Sequence, residues 1–152
     1  MGKQKATIEQ TISKMFGDDV LTSGHSILEK KRVIIPISPK LDLILGGGIP
    51  EGSFVIFTGH PKFGKSSISL DFASTCQRPE YGGVFCPNGR HVYYYNIEGR
   101  IQPRDIAGIP NLNLDRFTCI ESKPGKILHA EEYLQMGEML INDKPDSVHI
   151  FD

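Results

Sequence analysis

The chain has 152 residues, a formal net charge of −1 and an isoelectric point near 6.5. That length suits one domain burying about 68 to 70% of its unfolded surface, and the near-neutral charge excludes a protein that coats nucleic acid by bulk positive charge. Three cysteines without tight spacing exclude a disulfide framework, and with no long apolar N-terminal stretch the expected location is cytoplasmic, without a membrane span.

In chain order, Thr7-Ile8-Glu9-Gln10 reads as a capping box. Ile8, Ile12, Met15 and Phe16 then form one apolar stripe before Gly17, which predicts a short amphipathic helix. The stripe would cover either its own domain or a neighbouring subunit. Residues 18 to 31 are mixed and polar and read as a linker, with Lys30, Lys31 and Arg32 as solvated charge. The expected division is therefore 1–31, N-terminal helix and linker, and 32–152, the core domain. Val33 to Ile37 is β-prone, but Pro36 cannot donate to a ladder, so an edge strand is predicted. Leu41 to Leu45 reads as a short helix closed by Gly46-Gly47-Gly48.

Phe54-Val55-Ile56-Phe57 is a continuous apolar run that predicts a buried strand. Directly behind it, Gly59-His60-Pro61-Lys62-Phe63-Gly64-Lys65-Ser66 fits the phosphate-loop pattern G-x-x-x-x-G-K-[ST]. Lys65 to Cys76 reads as a helix, with Ile68, Phe72, Ala73 and Cys76 inward and Ser66, Ser67 and Ser69 outward. Strand, turn and helix in that order place backbone N–H groups and the positive end of a helix dipole where a polyphosphate fits. Lys65 would reach the phosphate oxygens, and the Ser66 hydroxyl would ligate Mg²⁺, a hard cation that prefers oxygen. Gly59 and Gly64 would take positive φ, and the bulky Phe63 must point away from the phosphates.

Arg78 to Arg90 is a Pro- and Gly-rich excursion. Cys76, Cys86 and His91 flank it, but a fourth zinc ligand and a C-x-x-C pair are missing, so a plain surface loop is the favoured reading. Val92 to Ile97, Phe117 to Ile120 and Val148 to Phe151 read as strands, and His129 to Asn142 as a helix. His149, in an apolar strand, reads as a core histidine with its ring nitrogens satisfied. Strands alternating with helices predict an α/β fold with a mainly parallel sheet.

Ligands of open parallel sheets bind beyond the carboxyl ends of the strands. Glu98 and Asp152 each follow a strand there, beside the loop that opens at Gly59. Asp152 suits Mg²⁺ or its water, and Glu98 suits a base that orients a water on the γ-phosphate. The alternative for each acid is a strand cap.

On these residues the chain resembles the RecA/RadA recombinase family over nearly its whole length. Leu41 to Gly52 resembles the segment before the ATP-binding strand, Gly59 to Ser66 the Walker A motif, Tyr95 to Arg100 the strand end with the catalytic glutamate, and Val148 to Asp152 the Walker B motif. The resemblance implies a RecA-like P-loop core preceded by a short N-terminal helix that packs on the next protomer. It implies ATP-dependent strand exchange on single-stranded DNA, assembly into a filament or ring, and ATP with Mg²⁺ as cofactors. By resemblance Glu98 and Lys65 are catalytic, Gly59 to Ser67 bind nucleotide, and Ser66 and Asp152 hold the metal. His60 stands where a small residue is common, no aromatic follows Glu98 to stack adenine, and Arg104 is the expected guanidinium substitute.

In that family the DNA-binding loops and further strands follow the Walker B motif. The expectation is thus a fragment, incomplete at its C-terminus, with an unpaired sheet edge and poor solubility alone. KaiC-like and replicative-helicase ATPases, or a nucleotide-binding module without turnover, are the alternatives.

Overall fold

A computed structural model describes residues 7–17, 20–29 and 31–152, which cluster into two compact units, 1–32 and 33–152. In the first unit, helix α1 (Ile8–Phe16) starts as the sequence predicts. The Gln10 amide donates to Thr7 Oγ1 at 3.3 Å and the Thr7 amide to Gln10 Oε1 at 3.1 Å, so two orphan donors are satisfied reciprocally. None of its residues is buried. The expected linker is not all irregular: Gly24–Glu29 forms a short helix, α2, and the Ser26 amide donates to Ser23 Oγ at its start. Residues 18, 19 and 30 of that segment lie outside the described residues.

The second unit opens with a two-stranded antiparallel ribbon, β1 (Ile34–Ile35) against β2 (Ile49–Pro50). Between them runs α3 (Pro39–Leu45), with Pro at its first turn and Gly46 in the left-handed region at its C-cap. Gly48, at φ 137°, must be glycine, because a Cβ there would stand 2.2 Å from the Ile35 carbonyl oxygen.

The main sheet is parallel, in the order β4 (Phe117–Glu121), β3 (Val92–Asn96), β5 (Val148–Phe151). Val92 pairs with Phe117 on one side and Val148 on the other, so the three strands start in register. All five β3 residues are buried, as expected for a central strand covered on both faces. Side chains alternate across it. On one face Tyr93 and Tyr95 cluster with Tyr133 of α6 (Ala130–Asp143), and Ile120, Leu128, Met136 and Leu140 pack around them. Gly137 of α6 faces the Tyr95 hydroxyl and the Phe151 ring, with room for a Cβ at ordinary contact distance.

His149 lies within this layer, stacked near Tyr93 and Tyr95 at 5.2 and 5.9 Å. Ser147 Oγ donates to the Lys144 carbonyl, so it accepts from His149 Nε2 at 2.8 Å, and the bare Nδ1 accepts from the Tyr95 hydroxyl at 2.9 Å. The predicted core histidine is thus satisfied at both nitrogens, and burial lowers its pKa.

Helix α4 spans Lys65–Cys76. Its buried face differs from the expected stripe: Leu70, Ala73, Ser74, Thr75 and Cys76 are inside, whereas Ile68 and Phe72 are half-buried. The polar members are tolerated because each has a partner. Ser74 Oγ donates to the Pro110 carbonyl at 2.7 Å and Thr75 Oγ1 to that of Asp71 at 3.2 Å. Gln77, just beyond, donates to the Asn113 and Arg116 carbonyls and accepts from the Asn113 amide.

Phe54–Phe57 departs from the prediction of a buried strand. Residues 53–59 carry no ladder, and Phe54, Val55 and Ile56 are 88, 44 and 70% exposed. Apolar content makes a segment strand-prone, but a strand exists only where its backbone finds a partner, and no described strand pairs with this one. The Arg78–Arg90 excursion is fastened by a buried arginine that sequence reading passed over. Arg90 ion-pairs with Glu51 at 2.8 Å and donates to the carbonyls of Tyr81 and Asp146. A short helix that was not foreseen, α5 (Pro103–Ala107), follows β3. Among the described residues no helix is long and apolar enough to cross a membrane.

Candidate nucleotide site

The loop from Gly59 to Gly64 leads directly into α4, so the first helical residues are Lys65 and Ser66. Gly64 takes φ 81°, as expected; Gly59 does not take positive φ, and Lys62 takes φ 67° in its place. Left-handed residues within such a turn aim successive N–H groups at one point and form a concavity suited to an anion. The Lys65 ammonium donates to the Gly59 and His60 carbonyls at 3.1 and 3.2 Å, which holds its charge over the loop. Phe63 points outward, 79% exposed, with its ring 5.9 Å from that of His60. Pro61, Lys62 and Ser67 are also exposed.

Asp152 follows β5 and meets the start of α4. Ser66 Oγ donates to its Oδ1 at 3.0 Å, a contact between residues 86 apart in sequence. Its Oδ2 accepts from the Tyr94 hydroxyl at 2.5 Å. Tyr94 is fully buried on the face of β3 opposite Tyr95; burial first, and then the Asp152 carboxylate, raise its pKa, so it stays a donor. The sequence signal for Tyr94 was its place in a run of three tyrosines, whose hydroxyls need partners when buried.

Glu98 lies beside Asp152 through the backbone. Its amide and that of Ile97 donate to the Asp152 carbonyl at 3.3 and 2.8 Å. The Glu98 carboxylate, 61% exposed, pairs with Arg100 at 3.1 Å. Asn96, a second residue that sequence reading missed, shapes this turn from inside. Its Oδ1 accepts from the Arg100 and Ile101 amides and its Nδ2 donates to Glu121 at 2.9 Å.

The structure therefore joins Lys65, Ser66, Asp152 and the Glu98 backbone at one edge of the sheet. It does not join Arg104 to them: that side chain is 87% exposed on α5 and pairs with Asp105 at 3.9 Å. Cys76 is buried, its thiol pushed up to about 12 by desolvation, and no group of three or more metal-ligating side chains is found among the described residues. A serine hydroxyl and a carboxylate in contact are hard oxygen donors, the set Mg²⁺ prefers, so these residues fit that ion.

Residues 30–107, just over half of the chain, match the family described as an AAA domain. The chain is 27% identical over 143 residues to Protein RecA of Xanthomonas axonopodis pv. citri and to that of Xylella fastidiosa, covering 93% of this chain and 37% of each relative. It is 35% identical over 100 residues to the DNA repair protein RadA of Campylobacter jejuni, covering 62% of this chain and 20% of RadA. The chain thus spans little more than a third of the RecA proteins that it matches.

Proposed function

This chain belongs to the RecA/RadA-like P-loop ATPases of the AAA-domain family, and from that premise we propose that it binds and hydrolyses Mg·ATP as the ATP-binding part of a DNA recombinase. The observation that carries the reading is the Ser66–Asp152 contact, which brings a phosphate-loop hydroxyl and a strand-end carboxylate together across the fold. Loop N–H groups and the Lys65 ammonium bind the β- and γ-phosphates. Ser66 and Asp152 hold Mg²⁺, which when bound neutralises charge developing on the phosphate oxygens.

Glu98, released from Arg100, takes a proton from a water whose oxygen attacks the γ-phosphorus in line. The bond to the β–γ bridging oxygen breaks, and its electron pair leaves with ADP. Arg104 is proposed to lie near the adenine, and His60, Pro61, Phe63 and Ser67 to line the loop. A role in DNA repair is proposed from the relative named DNA repair protein RadA, and action on single-stranded DNA in recombination, self-association into a filament or ring, and a cytoplasmic location are proposed from the resemblance of the motifs.

Phosphate release from ATP tests the hydrolytic role. Glu98→Gln should abolish turnover and leave ATP affinity within about threefold of the parent. Equal turnover in that variant would contradict it. The Glu98–Arg100 pair also favours a second reading, binding without turnover, because it holds the proposed base at the surface. In that case the parent chain binds Mg·ATP and releases no phosphate.

A further inference from the structure

The edge of the sheet opposite the nucleotide site carries a different chemistry. His91, Arg116 and Lys144 stand just before the three parallel strands, whose first residues Val92, Phe117 and Val148 are in register. All three side chains are half-buried and line one cleft of about 240 Å³, with Cys86, Asn88 and Phe85 of the excursion across from them. Neither Arg116 nor Lys144 has an ion pair among the described residues. Arg116 uses only Nη1, on the Asn88 and Gly89 carbonyls, leaving Nε and Nη2 as donors. Among the described residues the Lys144 ammonium has no hydrogen-bond partner, and it lies 5.9 Å from the Tyr93 ring centre. The nearby acid, Asp146, is not among the lining groups; its carboxylate accepts from the Phe85 amide.

Two uncompensated cations that are partly withdrawn from water repel one another, and an anion between them relieves this at short range. Burial, and then Lys144 and Arg116, push the His91 imidazole below its ordinary pKa. The Nε2 atom is already engaged with Thr118 Oγ1 at 3.0 Å. Ligand pockets for whole drug-sized molecules start at roughly 300 Å³. The space here suits one tetrahedral oxyanion and not an entire nucleotide.

We propose that this cleft binds one phosphoryl group, held by Arg116 and Lys144, at a site separate from the phosphate loop. A free phosphate and a phosphodiester of a single-stranded nucleic acid present the same chemistry, and the exposed Phe85 ring beside the cleft offers a stacking surface to the second.

The test uses the full 152-residue chain with Lys65→Ala, so that the phosphate loop does not compete. Inorganic phosphate is titrated while the His91 ring and the amides of residues 85–89 are followed by NMR. Saturable shifts are expected, weakened about tenfold or more by Lys144→Gln. Lys144 has no side-chain hydrogen-bond partner among the described residues, so this variant is expected to keep the fold, which circular dichroism checks, and Arg116→Lys, which keeps charge but loses the fork, should weaken binding as well. A short oligothymidylate in parallel distinguishes the sources: shifts at the same residues that added phosphate reverses identify a strand, and their absence alongside phosphate binding identifies the free ion. No saturable shift with either probe, or identical affinity in Lys144→Gln, would overturn the proposal.

Discussion

Replacing Tyr94 with Phe removes one oxygen from the centre of the sheet and leaves the ring in place. That hydroxyl donates to Asp152 at 2.5 Å, and its residue is fully buried. A hydrogen bond to a charged acceptor contributes about 1.5 to 3 kcal/mol. Asp152 is half-buried and retains Ser66 as its other donor, so the lower end applies, about 1.5 kcal/mol. For a unit of this size about 4 °C of melting temperature corresponds to each kcal/mol, which gives a drop of roughly 6 °C by circular dichroism. The Asp152 carboxylate also loses its orientation toward the proposed Mg²⁺, so the Mg²⁺ needed for half-maximal ATP binding should rise about 10- to 100-fold. A Tyr94→Phe protein that melts within about 1 °C of the parent and has the same Mg²⁺ dependence would refute this account of Asp152.

Three further outcomes follow from the geometry. His149 and His91 both have pKa values lowered below 6.5, so the folded state stays neutral where the unfolded chain takes up protons; their contribution is complete above that value and is lost as pH falls below it. Urea midpoints should therefore fall between about pH 7.5 and about pH 5.5, with a smaller slope in His149→Gln, and an unchanged slope would count against the buried neutral histidine. Gly137→Ala should stabilise the protein by roughly 0.5 to 1 kcal/mol through helix propensity, because the new Cβ meets Tyr95 and Phe151 at 3.4 and 3.5 Å, ordinary contact distances; a lower urea midpoint would show that α6 is too close. Arg100→Ala frees the exposed Glu98 carboxylate, and phosphate release should rise or stay level; a fall of about tenfold would assign Arg100 itself to the nucleotide site.

Much of this was legible because local chemistry and tertiary structure agree. The Thr7–Gln10 box, the glycines closing α3, and the bounds of α4 rest on contacts within a few residues. The strands of the parallel sheet were readable from their aromatic and β-branched content, and two of the three are followed within two residues by the acids that sequence singled out. What escaped depends on distant partners. Phe54–Phe57 has the composition of a strand and lacks a ladder, since pairing is decided by a neighbour and not by the segment. Tyr94, Asn96 and Arg90 act through partners 58, 25 and 39 residues away. Ser74 of α4 and Gln77 just beyond it are buried because the carbonyls of Pro110, Asn113 and Arg116 receive them, which no periodicity within the helix can reveal.

The central claim is that this fold grips a nucleotide triphosphate where the Gly59 loop enters α4. Isothermal titration of the chain with ATP, with and without Mg²⁺, measures that grip directly. The account predicts saturable one-to-one binding, tighter with Mg²⁺, and weakened about 10- to 100-fold by Lys65→Ala through loss of a charge-assisted contact. Absence of binding, or equal affinity in the Lys65→Ala protein, would contradict it.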